Sequence, residues 1–218
     1  MSKCRGKKRT GIYFIGMFML FMVFCIPVAA GVAEKEGEYE IYPSPQSLEY
    51  GSGTTTLTGQ VDVTYGADID TYTQKRVEDT LEVLKLAKST AESNDHTKLV
   101  VGIYGKDTAY DAQLGARDFF TGVVDELSAE DRYDKYILWI SDGKIVVLGE
   151  DTDAAFYGVT TLKHIFAQLN EKDVKNLIIK DYAEIKYRGA LEGYYGSPWS
   201  VEDRIDMALT LRELGIKS

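Results

Sequence analysis

The chain is poor in cysteine and histidine, and this scarcity limits the chemistry that it can perform. Only two cysteines, Cys4 and Cys25, occur in 218 residues, and both lie near the amino terminus. From residue 34 onward the sequence therefore excludes disulfides, catalytic thiols and cysteine-ligated metals. The two histidines, His96 and His164, have no partner at metal-ligand spacing, so we expect no metal site.

Nucleotide-binding motifs are also missing, and basic charge is in deficit. The chain contains no Gly-x-Gly-x-x-Gly and no phosphate-binding loop, so we expect no cofactor. Acidic residues outnumber basic ones by 34 to 25, a net charge of −9, which disfavours nucleic acid as a partner. Closely spaced acidic residues occur at predicted turns and helix starts, where local roles explain them. These pairs are Asp68/Asp70, Glu130/Asp131 and Asp151/Asp153.

Residues 1–33 have the three parts of a secretory signal peptide. Basic residues occur from Lys3 to Arg9, a non-ionic, mostly apolar run follows from Ile12 to Ala30, and small residues end it. Cleavage after Ala30 or Ala33 predicts a secreted or cell-surface protein. It would remove five basic residues and no acidic one, leaving 20 basic and 34 acidic residues and a net charge of −14. The apolar run could also just span a bilayer, so an uncleaved membrane anchor is the alternative.

Residues 34–183 are predicted to form one α+β domain, with a mixed or antiparallel sheet and helices on one face. Asp142-Gly143 between apolar runs predicts a hairpin, and Asp151 or Thr152 is expected to cap a helix. The other predicted elements follow from β-branched runs and from apolar residues at helical spacing. The predicted strands are 54–58, 60–65, 98–104, 136–140, 144–148 and 177–179, and the predicted helices are 73–88, 107–115 and 151–169.

The last 35 residues predict one strand followed by one helix. Ala190 and Leu191 are apolar and flanked by glycines, which favours a short buried strand ended by Gly193. Ser200 is a good helix N-cap, and Asp203 stands where a carboxylate can complete a capping box. The following helix has apolar residues on one face: Ile205, Ala208 and Leu209.

Two segments resemble one family of glycosidases. Residues 188–200 read Arg-Gly-Ala-Leu-Glu-Gly-Tyr-Tyr-Gly-Ser-Pro-Trp-Ser, followed by Asp203-Arg204. They are similar to the opening of the catalytic barrel in glycoside hydrolase family 84, the bacterial O-GlcNAcase-like β-N-acetylglucosaminidases and clostridial hyaluronidases. Tyr194 stands where that family usually has phenylalanine. Residues 42–46, Tyr-Pro-Ser-Pro-Gln, are similar to the opening of the N-terminal module of family 84 and family 20 hexosaminidases; an extended edge strand and a rigid loop both fit them.

The resemblance implies a hexosaminidase-type N-terminal accessory domain over residues 34–183 and the incomplete start of a (β/α)8 barrel over residues 184–218. Such enzymes remove β-linked N-acetylglucosamine by substrate-assisted retaining hydrolysis, using two consecutive aspartates on a later barrel strand. This chain has no Asp-Asp dipeptide, so no catalytic residue is carried over. Only Gly193 matches a sugar contact of the family, and Glu192 is expected to form an ion pair instead.

Two functions therefore remain open from the sequence. The chain is the N-terminal part of a secreted glycosidase that acts on a glycan or glycoprotein containing N-acetylglucosamine, with its catalytic residues elsewhere. Alternatively, it is a non-catalytic exported module that binds glycan or docks another domain. In either case we expect the 218-residue chain alone to be inactive.

Overall fold

Seven strands form one continuous sheet in a computed structural model, which describes residues 39–104, 132–191, 193, 196–214 and 216. These residues belong to one compact unit, Tyr39–Ser218. The expected signal peptide, the predicted helix at 107–115 and Glu192 lie outside the described residues.

The sheet is mixed, which is one of the two arrangements that the sequence predicts. The strands are β1 (Ser47–Thr56), β2 (Gln60–Tyr65), β3 (Ala87–Lys88), β4 (Thr97–Ile103), β5 (Tyr133–Ser141), β6 (Lys144–Gly149) and β7 (Asp173–Ala183). Their spatial order is β1-β7-β5-β6-β4-β2-β3. The pairs β1–β7, β7–β5 and β5–β6 are antiparallel, whereas β6–β4, β4–β2 and β2–β3 are parallel. A register shift between Tyr50 and Thr54 interrupts the pairing of β1.

The predicted hairpin of β5 and β6 is confirmed. Asp142 and Gly143 both have positive φ, 51° and 74°, which is the backbone of the turn that an Asp-Gly pair favours. Ser141 pairs with Lys144 directly across this turn. The turn therefore sets the register of two strands that lie at the centre of the sheet.

Three helices are described: α1 (Thr71–Val83), α2 (Thr152–Phe166) and α3 (Val201–Glu213). Asp70 and Asp151 begin α1 and α2, because each carboxylate accepts a hydrogen bond from a backbone N–H three residues on, at 2.8 Å. Helices α1 and α2 pack against each other and against the sheet. The core between them consists of alternate strand residues and apolar helix residues, among them Leu99, Val101, Leu138, Ile140, Ile145, Val147, Val77, Leu81, Val159 and Leu162.

Several element boundaries differ from prediction: β1 begins at Ser47 rather than Thr54, α2 ends at Phe166 rather than Leu169, and α1 and β7 differ for reasons that the structure shows. Helix α1 ends at Val83 rather than Lys88, because Lys85 takes a left-handed backbone (φ 53°) and the N–H of Leu86 bonds back to Leu81 O at 3.0 Å. This is a Schellman ending with lysine where glycine is usual. Strand β7 spans 11 residues rather than the predicted three, because charged and polar residues separate its buried apolar residues Val174, Leu177 and Ile179 from a clear apolar run. The lead-in at 41–46 forms no strand, which favours the loop alternative.

Candidate functional site

The segment that leaves the sheet after β7 carries the family-like motif. The expected strand at Ala190 and Leu191 does not form, and the Leu191 side chain is 97% exposed. The prediction was wrong because a strand needs a neighbour to satisfy its backbone N–H and C=O groups, and no described strand pairs with these residues. Gly193, the predicted sugar contact, lies exposed in this segment.

Helix α3 begins as predicted. Ser200 Oγ accepts a hydrogen bond from the Asp203 backbone N–H at 3.1 Å, and the Asp203 carboxylate accepts from the Ser200 N–H at 3.3 Å, completing the capping box. The apolar face of the helix is not covered: Ile205 and Leu209 are 53% and 47% exposed. Helix α3 therefore contacts the rest of the molecule through other residues.

The last turn of α3 makes the contact through Glu213. Its Oε1 accepts hydrogen bonds from Arg76 Nη1 at 2.8 Å and from Lys163 Nζ at 3.0 Å. The Arg76 side chain has no exposed surface. Its Nε donates to Thr160 Oγ1 at 3.1 Å, and its guanidinium lies 4.9 Å from the centre of the Phe156 ring. A buried cation between α1 and α2 thus meets a carboxylate supplied by α3.

The pKa values of Glu213 and of the neighbouring His164 are both lowered, the first against the effect of burial and the second mainly by burial. Burial raises the pKa of Glu213, but the hydrogen bonds from Arg76 and Lys163 outweigh it and hold that pKa below its usual value. Burial lowers the pKa of His164, and the neighbouring cations Arg76 and Lys163 add to this against the opposing attraction of Glu213. Near neutral pH the carboxylate is therefore charged and the imidazole neutral.

A second ion pair fixes the segment just after β7. Arg188 Nη2 lies 2.7 Å from Asp134 Oδ2 at the start of β5, and Arg188 Nη1 donates to Ile185 O at 2.7 Å. A cleft of about 340 Å³ lies between this pair and the Glu213 contact. Tyr42, Gln46, Tyr157, His164, Asp181 and Tyr182 are among its lining residues.

Asp181 in this cleft is already engaged by the fold. Its carboxylate accepts from the Gln46 N–H at 3.1 Å and from Tyr136 Oη at 2.9 Å, while Tyr136 Oη also lies 2.6 Å from Thr161 Oγ1. Burial raises the pKa values of both Asp181 and Tyr136. These bonds tie Gln46 of the lead-in to β7, and β7 through Tyr136 of β5 to α2, so Asp181 has a structural role.

His96 acquires partners that its sequence neighbourhood does not reveal. Its Nδ1 lies 2.7 Å from Asp62 Oδ1, and Asp62 also bonds Lys98 Nζ and the Ser93 N–H. Asp62 is 34 residues from His96, so no local spacing signals the cluster. Within residues 39–104, 132–191 and 196–214, no group of three or more His, Cys, Asp or Glu is arranged to hold a metal ion.

The acidic pairs fall as the local explanation predicts where the structure describes them. Asp70 and Asp151 are helix caps, and Glu130/Asp131 lies outside the described residues. Among the described helices, none is both long and apolar enough to cross a bilayer.

The contacts described above meet at one junction. There the structure brings together helix α3, the ion pairs of Glu213 and Arg188, and the polar cleft between them.

Comparison with known proteins places this junction at the end of a recognised domain. The family model "Glycosyl hydrolase family 20, domain 2" matches residues 38–182. The chain belongs to this family. The solved structure of CpGH84D is 36% identical, with a TM-score of 0.66, over 78% of this chain and 28% of that chain. The family 20 domain 2 fold is therefore the hexosaminidase-type N-terminal module that the sequence resembles.

Two further structures share the fold of this family 20 domain 2. CpGH84B is 24% identical, with a TM-score of 0.62, over 82% of this chain and 29% of that chain. The Flavobacterium johnsoniae chitobiase is 17% identical, with a TM-score of 0.55, over 82% of this chain and 26% of that chain. The chain spans less than a third of the length of each of these proteins.

Proposed function

We propose that this chain is the N-terminal part of an exported glycoside hydrolase that removes β-linked N-acetylglucosamine from glycans. The family match over residues 38–182, extended by the 36% identity to CpGH84D, carries the proposal. Residues 34–183 serve as the accessory domain, and residues 184–218 begin the catalytic domain.

The catalytic groups are proposed to lie in the part of the enzyme that this chain does not contain. Substrate-assisted hydrolysis needs one carboxyl group to orient the acetamido nucleophile and a second to act as general acid and base. The sequence has no consecutive aspartates. Of the described acidic groups near the junction, Asp134, Asp181 and Glu213 are bonded to Arg188, Tyr136 and Arg76 respectively.

Gly193 is proposed to contact the sugar in the longer enzyme. It is exposed and has no side chain, so a ligand could approach its main chain closely. A glycine at this place leaves room that any β-branched residue would fill.

Assays on two purified forms test this function. The natural polypeptide that contains residues 1–218 and continues beyond them should hydrolyse an aryl β-N-acetylglucosaminide, and the 218-residue chain should not. Turnover by the short chain, above a mock preparation, would place the catalytic residues within it and overturn the assignment. Inactivity of the long form on aryl N-acetylglucosaminides, with activity on another aryl glycoside, would overturn the substrate class.

Export has its own test. The amino terminus of secreted material, read by Edman sequencing or mass spectrometry, should be Gly31 or Glu34. Intact Met1 in the membrane fraction would establish the anchored alternative.

A further inference from the structure

Helix α3 is short and has no buried residue of its own. An isolated helix of 13 residues is only marginally stable in water, because helix nucleation is costly and no buried side chain of α3 offsets that cost. The capping box at Ser200 stabilises one end. Contacts at the other end must therefore decide whether α3 stays helical and in place.

Glu213 stands where helix stability alone would not put it. A carboxylate in the last turn faces the negative end of the helix dipole, which disfavours it. Its position is instead explained by Arg76, whose buried guanidinium meets Glu213 Oε1 at 2.8 Å. Lys163 Nζ lies at 3.0 Å and His164 Nε2 at 4.0 Å from the same carboxylate.

Arg76 in turn depends on Glu213. Its Nη1 is bonded to Glu213 and its Nε to Thr160, while its Nη2 is buried without a hydrogen-bond partner among the described residues. A buried cation that loses its carboxylate partner is left uncompensated, which is strongly unfavourable. The surface of α1 and α2 around Arg76 is thus built to receive one negative charge.

We propose that Arg76, Lys163 and His164 form a docking site for the helix that follows the family-like motif, and that Glu213 is the residue this site recognises. The partner that fits is a helix with a carboxylate in its last turn. Docking fixes the end of α3, while the Arg188–Asp134 pair fixes the start of the segment before it. The accessory domain thereby sets where the exposed residues between these two contacts lie. The contact lies within the chain and does not depend on the glycosidase activity proposed above.

Hydrogen exchange of the α3 amides in the full chain tests this docking. Glu213→Gln should speed exchange in the last two turns of α3 by about tenfold or more, because local opening is controlled by local contacts. Asp206→Asn is the matched control: it removes the same charge from an exposed position of the same helix and should change exchange by less than about twofold. Equal effects of the two variants would overturn the proposal.

A double substitution identifies the recognising group. In an Arg76→Met background, adding Glu213→Gln should change α3 exchange little, because its main partner is already gone. An undiminished effect in that background would show that Arg76 does not recognise Glu213. If Arg76→Met fails to fold by circular dichroism, the comparison of Glu213→Gln with Asp206→Asn still decides whether the docking exists.

Discussion

Asp62 Oδ1 lies 2.7 Å from His96 Nδ1, joining β2 to the loop that precedes β4. The same carboxylate bonds Lys98 and the Ser93 N–H, and Asp62 itself is nearly buried. The hydrogen bond from Lys98, followed by those from Ser93 and His96, holds the pKa of Asp62 well below its usual value against the effect of burial.

The contribution of Asp62 to the free energy of unfolding should therefore be lost in acid. Because its folded-state pKa is lowered, the contribution is complete above the usual carboxyl pKa of 3.8 and is lost as the pH falls through the folded-state value. Asp62→Asn should reduce the free energy of unfolding at pH 5, and the gap to wild type should narrow towards pH 2. Urea titrations of both proteins at pH 5, 4, 3 and 2 measure this. A gap that stays constant over the series would contradict it.

Asp151 should stabilise the start of α2 as a hydrogen-bond acceptor. Asp151→Ala removes the bond to the Ala154 N–H and should cost about 1 kcal/mol of unfolding free energy. Asp151→Asn is the control, since asparagine caps helices about as well while losing the charge. Urea denaturation at pH 7 compares them. Similar losses in both variants would assign the effect to charge instead of capping.

Gly158 should resist substitution although alanine is the better helix former. A Cβ there would lie 2.6 Å from Val147 Cγ1 and 3.0 Å from Tyr136 Cδ2, where α2 crosses the sheet. We expect Gly158→Ala to lose about 1–3 kcal/mol by overpacking, which exceeds the gain in helix propensity. A Cβ at Gly196 would meet nothing within 4 Å, so Gly196→Ala serves as the control. Thermal unfolding measures the melting temperatures of the two variants against wild type. A higher melting temperature for Gly158→Ala would refute the close approach of α2 to the sheet.

Glu213 should titrate below its usual pKa of 4.5 when α3 is docked. The groups that face it are Arg76 from α1, Lys163 and His164 from α2, and Arg212 from α3 itself. The docking contribution is thus full above 4.5 and is lost as the pH falls through the lower folded-state value. Carboxyl ¹³C NMR should give a midpoint below 4.5 that rises in Arg76→Met. An unchanged midpoint in that variant would show that Arg76 does not lower the pKa of Glu213.

Gly193→Val in the longer enzyme should lower kcat/KM by about tenfold or more, equivalent to about 1.4 kcal/mol. The valine side chain would occupy the space proposed for the sugar. The melting temperature should be unchanged. A lower melting temperature together with lower activity would assign Gly193 to the turn, and unchanged kcat/KM would remove it from the site.

The elements that the sequence predicted well are those with local causes. Asp142-Gly143 specifies its turn by backbone preference, and Asp151 and Ser200 cap helices through bonds three residues away. The end of α1 was missed because Lys85 adopts a left-handed backbone that lysine rarely takes. The length of β7 was missed because charged and polar residues occupy many of its half-buried positions, which weakens the apolar signal.

The site was harder to predict because its contacts join distant residues. Arg76 and Glu213 are 137 positions apart, and Asp134 and Arg188 are 54 apart. Each residue alone looks like an ordinary surface charge. The prediction of a strand at Ala190 and Leu191 was wrong for a related reason. Strand formation requires pairing with a neighbouring strand, and the local sequence does not reveal whether such a neighbour is present.

The two edges of the sheet are poor surfaces for pairing with another copy of this domain. At one edge β3 is only two residues long, and at the other the register shift in β1 breaks the row of backbone donors and acceptors. A strand from another molecule would find few consecutive groups to pair with at either place. The strongly apolar central strands therefore lie between two edges that disfavour the edge-to-edge joining of copies into fibrous aggregates.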